Sequence, residues 1–583
     1  MLLKNARCKM PLRKDILIAP ESLPLSGEEA HAFLREMETT VLDPFHTHLP
    51  AWSIDPDTLL LSLLTAFDGM AIVMRIVQPT LGSVGVWQYL HSRNEGLTIS
   101  IRWLAGRLAQ KTINSITGEQ LNLAGQFHSH ATAYAQLELL HVGFGKGLFE
   151  VQADRSKRTI RFLRPSLKRT GAHLHFADLV HHRQKGMLSN ENDGSLRYIA
   201  DTVATIEPVL SRGRIHHTSI LPYLSEAVLD ASASVEQPDV VDLEPTSDLG
   251  GFSYSDFTCY WRVLLGWSNV AMRLYLRLFE EKVPQSECMP TQVVSGRGFL
   301  DAMVTHTKLS AEIVQKITSF LTYDQRDIKG DVFLRPLFTM QNDYIWSPLV
   351  VSLSRQPRNV LKALCRNRST RNLGATLNGT REKRLLLRFG LHIQKNAKYA
   401  FKTNVQMYAG NECSELDLLA YRDSVPTQVL LVQAKCVIAA DDMNEIESTT
   451  KEAEVGKQQV LLCERILRGM SVEQKREMFK FVRWELVDEY FGIVLMPDSE
   501  PSGNYAAETV PAISLITFED RLRQRHLQSP QTIWNSCRSR KWQQKLSSGS
   551  DAYVPLVIGG VTYEMPIDIH PEELETLLNA NNS

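Results

Sequence analysis

Two apolar runs in the stretch SELDLLAYRDSVPTQVLLVQAKC, Ser414 to Cys436, carry charge where charge is costly: Asp417 in the first and Lys435 in the second. A lone ion in a strand otherwise built for burial calls for a partner or a chemical task. The Val, Leu and Tyr density on either side of Asp423-Ser424-Val425-Pro426 predicts two strands joined by a short connection. Alternation then puts Glu415, Asp417 and Leu419 on one face of the first strand, and Gln433 and Lys435 on one face of the second. If the strands are neighbours, two carboxylates, an amide and an ammonium converge. Such a set can hold a hard divalent cation through carboxylate and carbonyl oxygens, with the lysine beside the water or phosphate that the cation activates, which is a means of cutting phosphodiesters. The same residues could instead form only a cross-strand ion pair.

The elements that must position these residues are legible around them. NGTREKRLLLRFGLHI predicts a helix with Glu382 in its first turns and Leu385, Leu386 and Phe389 at core-facing offsets. YAFKTNVQMYAG predicts a strand, the two strands above follow, TTKEAEVGKQQVLLCERIL predicts a helix, and YFGIVLMP a further strand. The order is helix, three strands, helix, strand. Just upstream, Ser354 to Lys402 gathers thirteen Lys or Arg residues against a single acid, Glu382. A run of one sign over about fifty residues suits an anionic polymer, which such residues bind by displacing counterions. Arg366, Arg368, Arg371, Arg381, Lys383 and Arg384 are the candidate contacts.

That order, with those residues in place, resembles the restriction-endonuclease-like nuclease superfamily with the signature PD-(D/E)xK, and more closely its Mrr-type branch, in which the second acid is a Gln to give QxK. The resemblance runs over roughly residues 381–496. It implies that Glu382 is the first-helix glutamate, Asp417 in ELDLLAY the metal-binding aspartate and Gln433-Ala434-Lys435 the third motif, with Lys457 or Gln458 an auxiliary polar residue on the following helix. It further implies that Asp417, the Ala434 carbonyl and Glu382 or Glu415 hold Mg²⁺, for which Mn²⁺ can substitute, against a scissile phosphate of DNA. Lys435 would then orient or deprotonate the attacking water, while Gln433 positions water or a phosphate oxygen. A neutral Gln433 is a poorer ligand than a carboxylate, so affinity for the cation would lean on Asp417, Glu382 and Glu415.

At 583 residues the chain is long enough for three or four domains, and its net charge of −1 excludes a globally basic binder. Eight scattered cysteines without a CxxC pair argue against a disulfide framework or zinc knuckle and for a reducing compartment. MLLKNARCKMPLRKDILIAP lacks the apolar core of a secretory signal, and the most apolar window, Thr58 to Val77, contains Asp68 and Arg75, so it reads as a core helix rather than a bilayer span. A cytoplasmic protein without a membrane segment is expected.

The expected fold is multidomain α/β and α+β. An N-terminal α+β region occupies 1–230, an acidic linker 231–251, a helical module 252–345, a restriction-endonuclease-like α/β nuclease core (a mixed central sheet flanked by helices) 346–525, and a basic, aromatic extension 526–583. In that extension, basic residues interleave with Trp534 and Trp542, which suits either backbone contact and stacking or an exposed helix with two buried tryptophans. The pairs His46/His48, His128/His130 and His173/His175 could bind a metal if they lay on strands, yet no third ligand is identifiable by spacing and core or solvated histidines are the default. Gly143, Gly145 and Gly147 around Lys146 lack the Gly-Lys-Ser/Thr ending of a phosphate loop.

The function this predicts is a Mg²⁺-dependent nuclease acting on DNA, with a role in restricting foreign DNA. The competing class is a non-catalytic subunit that grips DNA and recruits a protein partner through its N-terminal region; a homodimer is compatible with either.

Overall fold

The structure, a computed structural model, describes residues 17–18, 22–109, 111, 113, 115–145, 149–163, 215–217, 243–280, 288–325, 330–354, 359–366, 370–409, 412–437, 443–497, 501, 505, 509–522, 524–539 and 552–567. It is a mixed α/β chain with several sheets.

Strands Glu150–Asp154 and Thr159–Leu163 pair antiparallel as a hairpin. Its partner comes from the other end of the sequence: the hairpin of Ala552–Ile558 and Val561–Ile567 joins the same six-stranded sheet, with Val561–Ile567 parallel to Thr159–Leu163. Arg161 and Glu564, both buried, pair across that junction at 2.5 Å. Residues 526–583 are therefore not one extension. Helix Pro530–Ser539 packs on the C-terminal sheet described below, and the hairpin completes the N-terminal one. Sequence proximity could not reveal a pairing between strands four hundred residues apart.

The apolar window is part of one helix, Pro56–Leu104, opened by Asp55, whose carboxylate accepts from the Thr58 N–H. Asp68 is wholly buried on it, where Ser347 Oγ at 2.5 Å, the Leu349 N–H at 3.0 Å and Thr291 Oγ1 donate to its carboxylate. Among the described residues no helix is long and apolar enough to cross a membrane. His128 and His130 lie on helix Gly118–Gly145, and His46 and His48 on a single helical turn, so neither pair has the strand geometry that puts two imidazoles on one face. His128 is buried and donates from Nε2 to the Arg93 carbonyl at 2.9 Å. His173, His175 and Lys146 lie outside the described residues.

The helical module contains helices Tyr254–Glu280, Gly296–Thr307 and Ala311–Leu321, plus a three-stranded sheet of 292–295, 343–346 and 338–340. Ser310 caps the third helix, accepting from the Ile313 N–H. Trp261, Trp267 and Trp346 are core. The module starts earlier than expected, since Leu243 and Leu249 of the anticipated linker are buried in its core and Asp248 accepts from the Gly250 and Gly251 N–H groups. It also ends later: Val360, Leu361, Leu364 and Leu377 belong to the same core.

The C-terminal unit follows, its elements numbered here from its first helix: α1 Arg371–Ala397, β1 Ala400–Ala409, β2 Glu412–Tyr421, β3 Gln428–Ala434, α2 Met443–Gly469, β4 Glu489–Met496, β5 Ala512–Ser514, α3 Leu515–Arg521 and α4 Pro530–Ser539. The sheet order is β1-β2-β3-β4-β5, antiparallel from β1 to β3 and parallel from β3 to β5. All seven residues of β3 are buried, as its unbroken apolar run demands of a strand covered on both faces. Leu385, Leu386 and Phe389 of α1 pack with Leu418, Ala420, Leu430 and Val432 on one side. On the other, Val460, Cys463 and Ile466 of α2 pack with Leu419, Leu431 and Val429. Helix α1 thus begins in the module's core, at Leu377, and ends in that of the sheet.

Candidate active site

Asp417 sits where the β-ladder breaks on both sides. On one side Thr403 pairs with Leu418 and Val405 with Leu416, while Asn404, opposite Asp417, adopts a left-handed φ of 54° and drops out of the register. On the other, β2 and β3 are paired from Tyr421–Val429 only as far as Leu418–Val432. Asp417 takes over where the backbone stops, its carboxylate accepting from the Ala434 N–H at 2.7 Å. The break also shifts the alternation. Leu416 and Leu419 share the α2 layer and Leu418 faces α1, so Glu415 does not share a face with Leu419 as strict alternation predicts. It is exposed, accepting from Gln406 Nε2 at 2.9 Å.

Gln433 and Lys435 follow the predicted phase, since Val429 and Leu431 point to α2. Lys435 stands just beyond the carboxyl end of β3, its N–H donating to the Leu495 carbonyl at 2.9 Å. Its stem runs under α2: a Cβ at Gly456 would lie 3.1 Å from Lys435 Cγ and 2.9 Å from Val494 Cγ1, closer than packed side chains come. Glycine there lets the helix pass over the lysine. The location, outside the carboxyl end of a parallel strand, is where open α/β sheets place ligands.

Electrostatics shows which groups face one another. Burial pushes the Asp417 carboxyl up to about 7; the Ala434 N–H and Lys435 oppose that rise, and the charges of Glu382 and Glu415 add to it. Half-buried Glu382 is also raised, first by burial, with Lys435 pulling it down and Glu415 pushing it up. The structure therefore brings Glu382, Glu415, Asp417 and Lys435 within one another's fields, from a helix and two strands. Gln433 is buried beside them, and among the described residues its Oε1 has no hydrogen-bond partner. Buried carboxylates held against ionisation and an orphaned carbonyl oxygen are what a hard cation would relieve, so the donor set suits Mg²⁺ in kind. Among the described residues, however, no three His, Cys, Asp or Glu side chains are drawn together closely enough to form a metal cage. The expected set of Asp417, Glu382 and Glu415 is thus a loose neighbourhood rather than a preformed cage, with Glu415 exposed and hydrogen-bonded to Gln406.

Three residues of the basic stretch, Lys362, Arg366 and Arg388, are ion-paired on folding. Lys362 is buried and ion-paired to Glu445 at 2.8 Å, and Arg366 pairs with Glu445 at 3.0 Å and Asp331 at 3.3 Å. Arg388 is bidentate on Glu519. Arg381 is 3% exposed, so it cannot serve as the surface contact its sequence position suggests. Arg384 is half-buried, and Arg371 and Lys383 are exposed. Arg368 lies outside the described residues. The neutralising acids come from distant parts of the chain, which is why a local charge run misled. On α2, Lys457 is half-buried, 3.3 Å from Glu454 and over the Tyr505 ring, while Gln458 is exposed. Trp534 packs beside Phe491 and donates to the Thr509 carbonyl, which makes it a structural tryptophan; Trp542 is outside the described residues.

Three contributors escaped the sequence reading: Gly456 over Lys435, Asn404 at the ladder break, and Asn378, whose Nδ2 donates to the Cys436 carbonyl at 2.5 Å. Asn378 and Arg381 are three apart on α1, a same-face spacing that could have joined them. No protein-family model matches the chain, and neither a curated protein nor a solved structure is significantly similar to it.

Proposed function

We propose that the C-terminal unit is a metal-dependent nuclease. One observation carries this reading: Asp417, Glu382, Glu415 and Lys435 come within one another's fields at the carboxyl end of β3, beside the orphaned Gln433 Oε1. Asp417, the Ala434 carbonyl and Glu382 would hold Mg²⁺ or Mn²⁺, with Glu415 at the margin. Bound there, the cation supplies charge neutralisation at a phosphodiester and makes water more acidic. Asp417 contributes a carboxylate already desolvated and oriented by the Ala434 N–H. Lys435 contributes a cation, held by α2 along its stem, that can orient a water and stabilise charge developing on phosphorus. Gln433 Oε1 offers a hydrogen-bond acceptor that can position an attacking water, and burial raises both the Asp417 and Glu382 carboxyls.

DNA as substrate and a role in restricting foreign DNA rest on the QxK resemblance. Arg371 and Lys383, exposed on α1, and Gln458 are the contacts that the fold leaves available to a phosphate backbone. A catalytically silent, DNA-gripping form of the same site is favoured by one observation, the want of a preformed three-ligand cage among the described residues. Incubating the purified chain and its Lys435→Ala variant with supercoiled and linear DNA in Mg²⁺, Mn²⁺ or EDTA separates the two. Metal-dependent nicking that the variant lacks supports the nuclease. Equal, salt-sensitive binding with no nicking by either protein assigns the silent form.

A further inference from the structure

We propose that Asn378 and Arg381 are positioning residues for Lys435, and that through them the helical module sets the geometry of the site. This rests on the nuclease reading for what Lys435 does, and on separate geometry for how it is held.

Lys435 lies one residue past the end of β3, its own N–H still bonded to the Leu495 carbonyl of β4. The next peptide is held from α1, because Asn378 Nδ2 donates to the Cys436 carbonyl at 2.5 Å. A carboxamide can present either end to a neighbour, and only its NH₂ suits a carbonyl. Arg381 decides which. Its Nη1 donates to Asn378 Oδ1 at 3.2 Å, which leaves the NH₂ for Cys436. Arg381 is buried, so its guanidinium is a fixed part of the interior rather than a swinging surface charge.

The relay's base is the module. Leu377, the residue before Asn378, is in the module's core, while Lys362 and Arg366 of the same module grip Glu445 in the first turn of α2. Helix α2 then brings Gly456 against the Lys435 stem. The lysine is thus held through its backbone from α1 and along its stem from α2, and both helices are anchored in residues 359–377.

Asn378→Asp isolates the relay. It is nearly isosteric, strengthens the Arg381 contact, and replaces the donor to Cys436 with an oxygen that repels a carbonyl. We expect turnover of DNA in Mg²⁺ to fall about a hundredfold, as for a catalytic group displaced by about 1 Å, with DNA affinity and melting temperature close to wild type. Asn378→Ser, which cannot reach Cys436 and adds no charge, should show the same loss and serves if the aspartate variant does not fold. A second readout needs no activity. With lysines ¹³C-methylated, the Lys435 signal, assigned by its absence in Lys435→Arg, should shift in either variant while the other lysine signals stay in place. Wild-type turnover with an unmoved Lys435 signal overturns the relay. If the wild type itself does not cut, the nuclease reading fails and the signal alone decides the positioning, for it if moved and against it if not.

Discussion

Burial holds the Asp417 carboxyl at about 7, against 3.8 in an unfolded chain, with Glu382 and Glu415 adding to the rise. A carboxyl raised on folding binds more protons in the native state, so its contribution to stability is present below pH 4 and is lost as pH climbs from about 4 to about 7. At about 1.4 kcal/mol per pKa unit, that is up to about 4 kcal/mol. Asp417→Asn, whose amide oxygen can still accept from the Ala434 N–H, should therefore be more stable than wild type at pH 8 and nearly equal to it at pH 4.5, as urea unfolding would show. A variant less stable at both pH values would mean that Asp417 is an ordinary structural acid. Cleavage should rise with pH through about 7, since proton and cation compete for the same carboxylates. Gly456→Ala tests the lysine from the other side. Alanine favours a helix by about 1 kcal/mol over glycine, yet its methyl would press on Lys435 and Val494, so turnover should fall with stability changed by no more than about 1 kcal/mol.

At the scale of elements, the helix–strand order and the phase of β3 were legible because they rest on local periodicity: Leu385, Leu386 and Phe389 face the sheet as their spacing requires. Asp417, Gln433 and Lys435 stand out in the sequence for the same reason, as polar residues in apolar runs. What stayed hidden was non-local. A single left-handed residue, Asn404, interrupts the ladder opposite Asp417, and no pattern within β2 announces it. The basic run misled because its acids, Asp331, Glu445 and Glu519, lie elsewhere in the sequence. That contrast is testable. Glu445→Ala leaves Lys362 buried without its carboxylate and should cost about 3–5 kcal/mol in unfolding free energy. Arg371→Ala or Lys383→Ala should leave stability unchanged while lowering DNA affinity and reducing the salt slope by about 1 each. Affinity indifferent to both residues would place the nucleic-acid surface elsewhere.

Across the whole molecule, the ends of the chain meet in one sheet and one helix joins two cores. Glu564→Ala removes the carboxylate that pairs with buried Arg161 and should lower unfolding free energy by about 3 kcal/mol or more; a simultaneous loss of turnover would show that the N-terminal sheet is coupled to the site. Asp68 ties helix Pro56–Leu104 to Ser347 and Leu349, at the start of the segment that leads to α1. The measurement that bears most directly on the whole reading is single-turnover cleavage of end-labelled DNA at pH 8, in Mg²⁺ and in EDTA, by wild type and Lys435→Ala at matched DNA occupancy. A nuclease requires metal-dependent strand scission by the wild type and a loss of at least about a hundredfold in the variant. Scission that persists undiminished in Lys435→Ala, or none by the wild type at full occupancy in either Mg²⁺ or Mn²⁺, would contradict it.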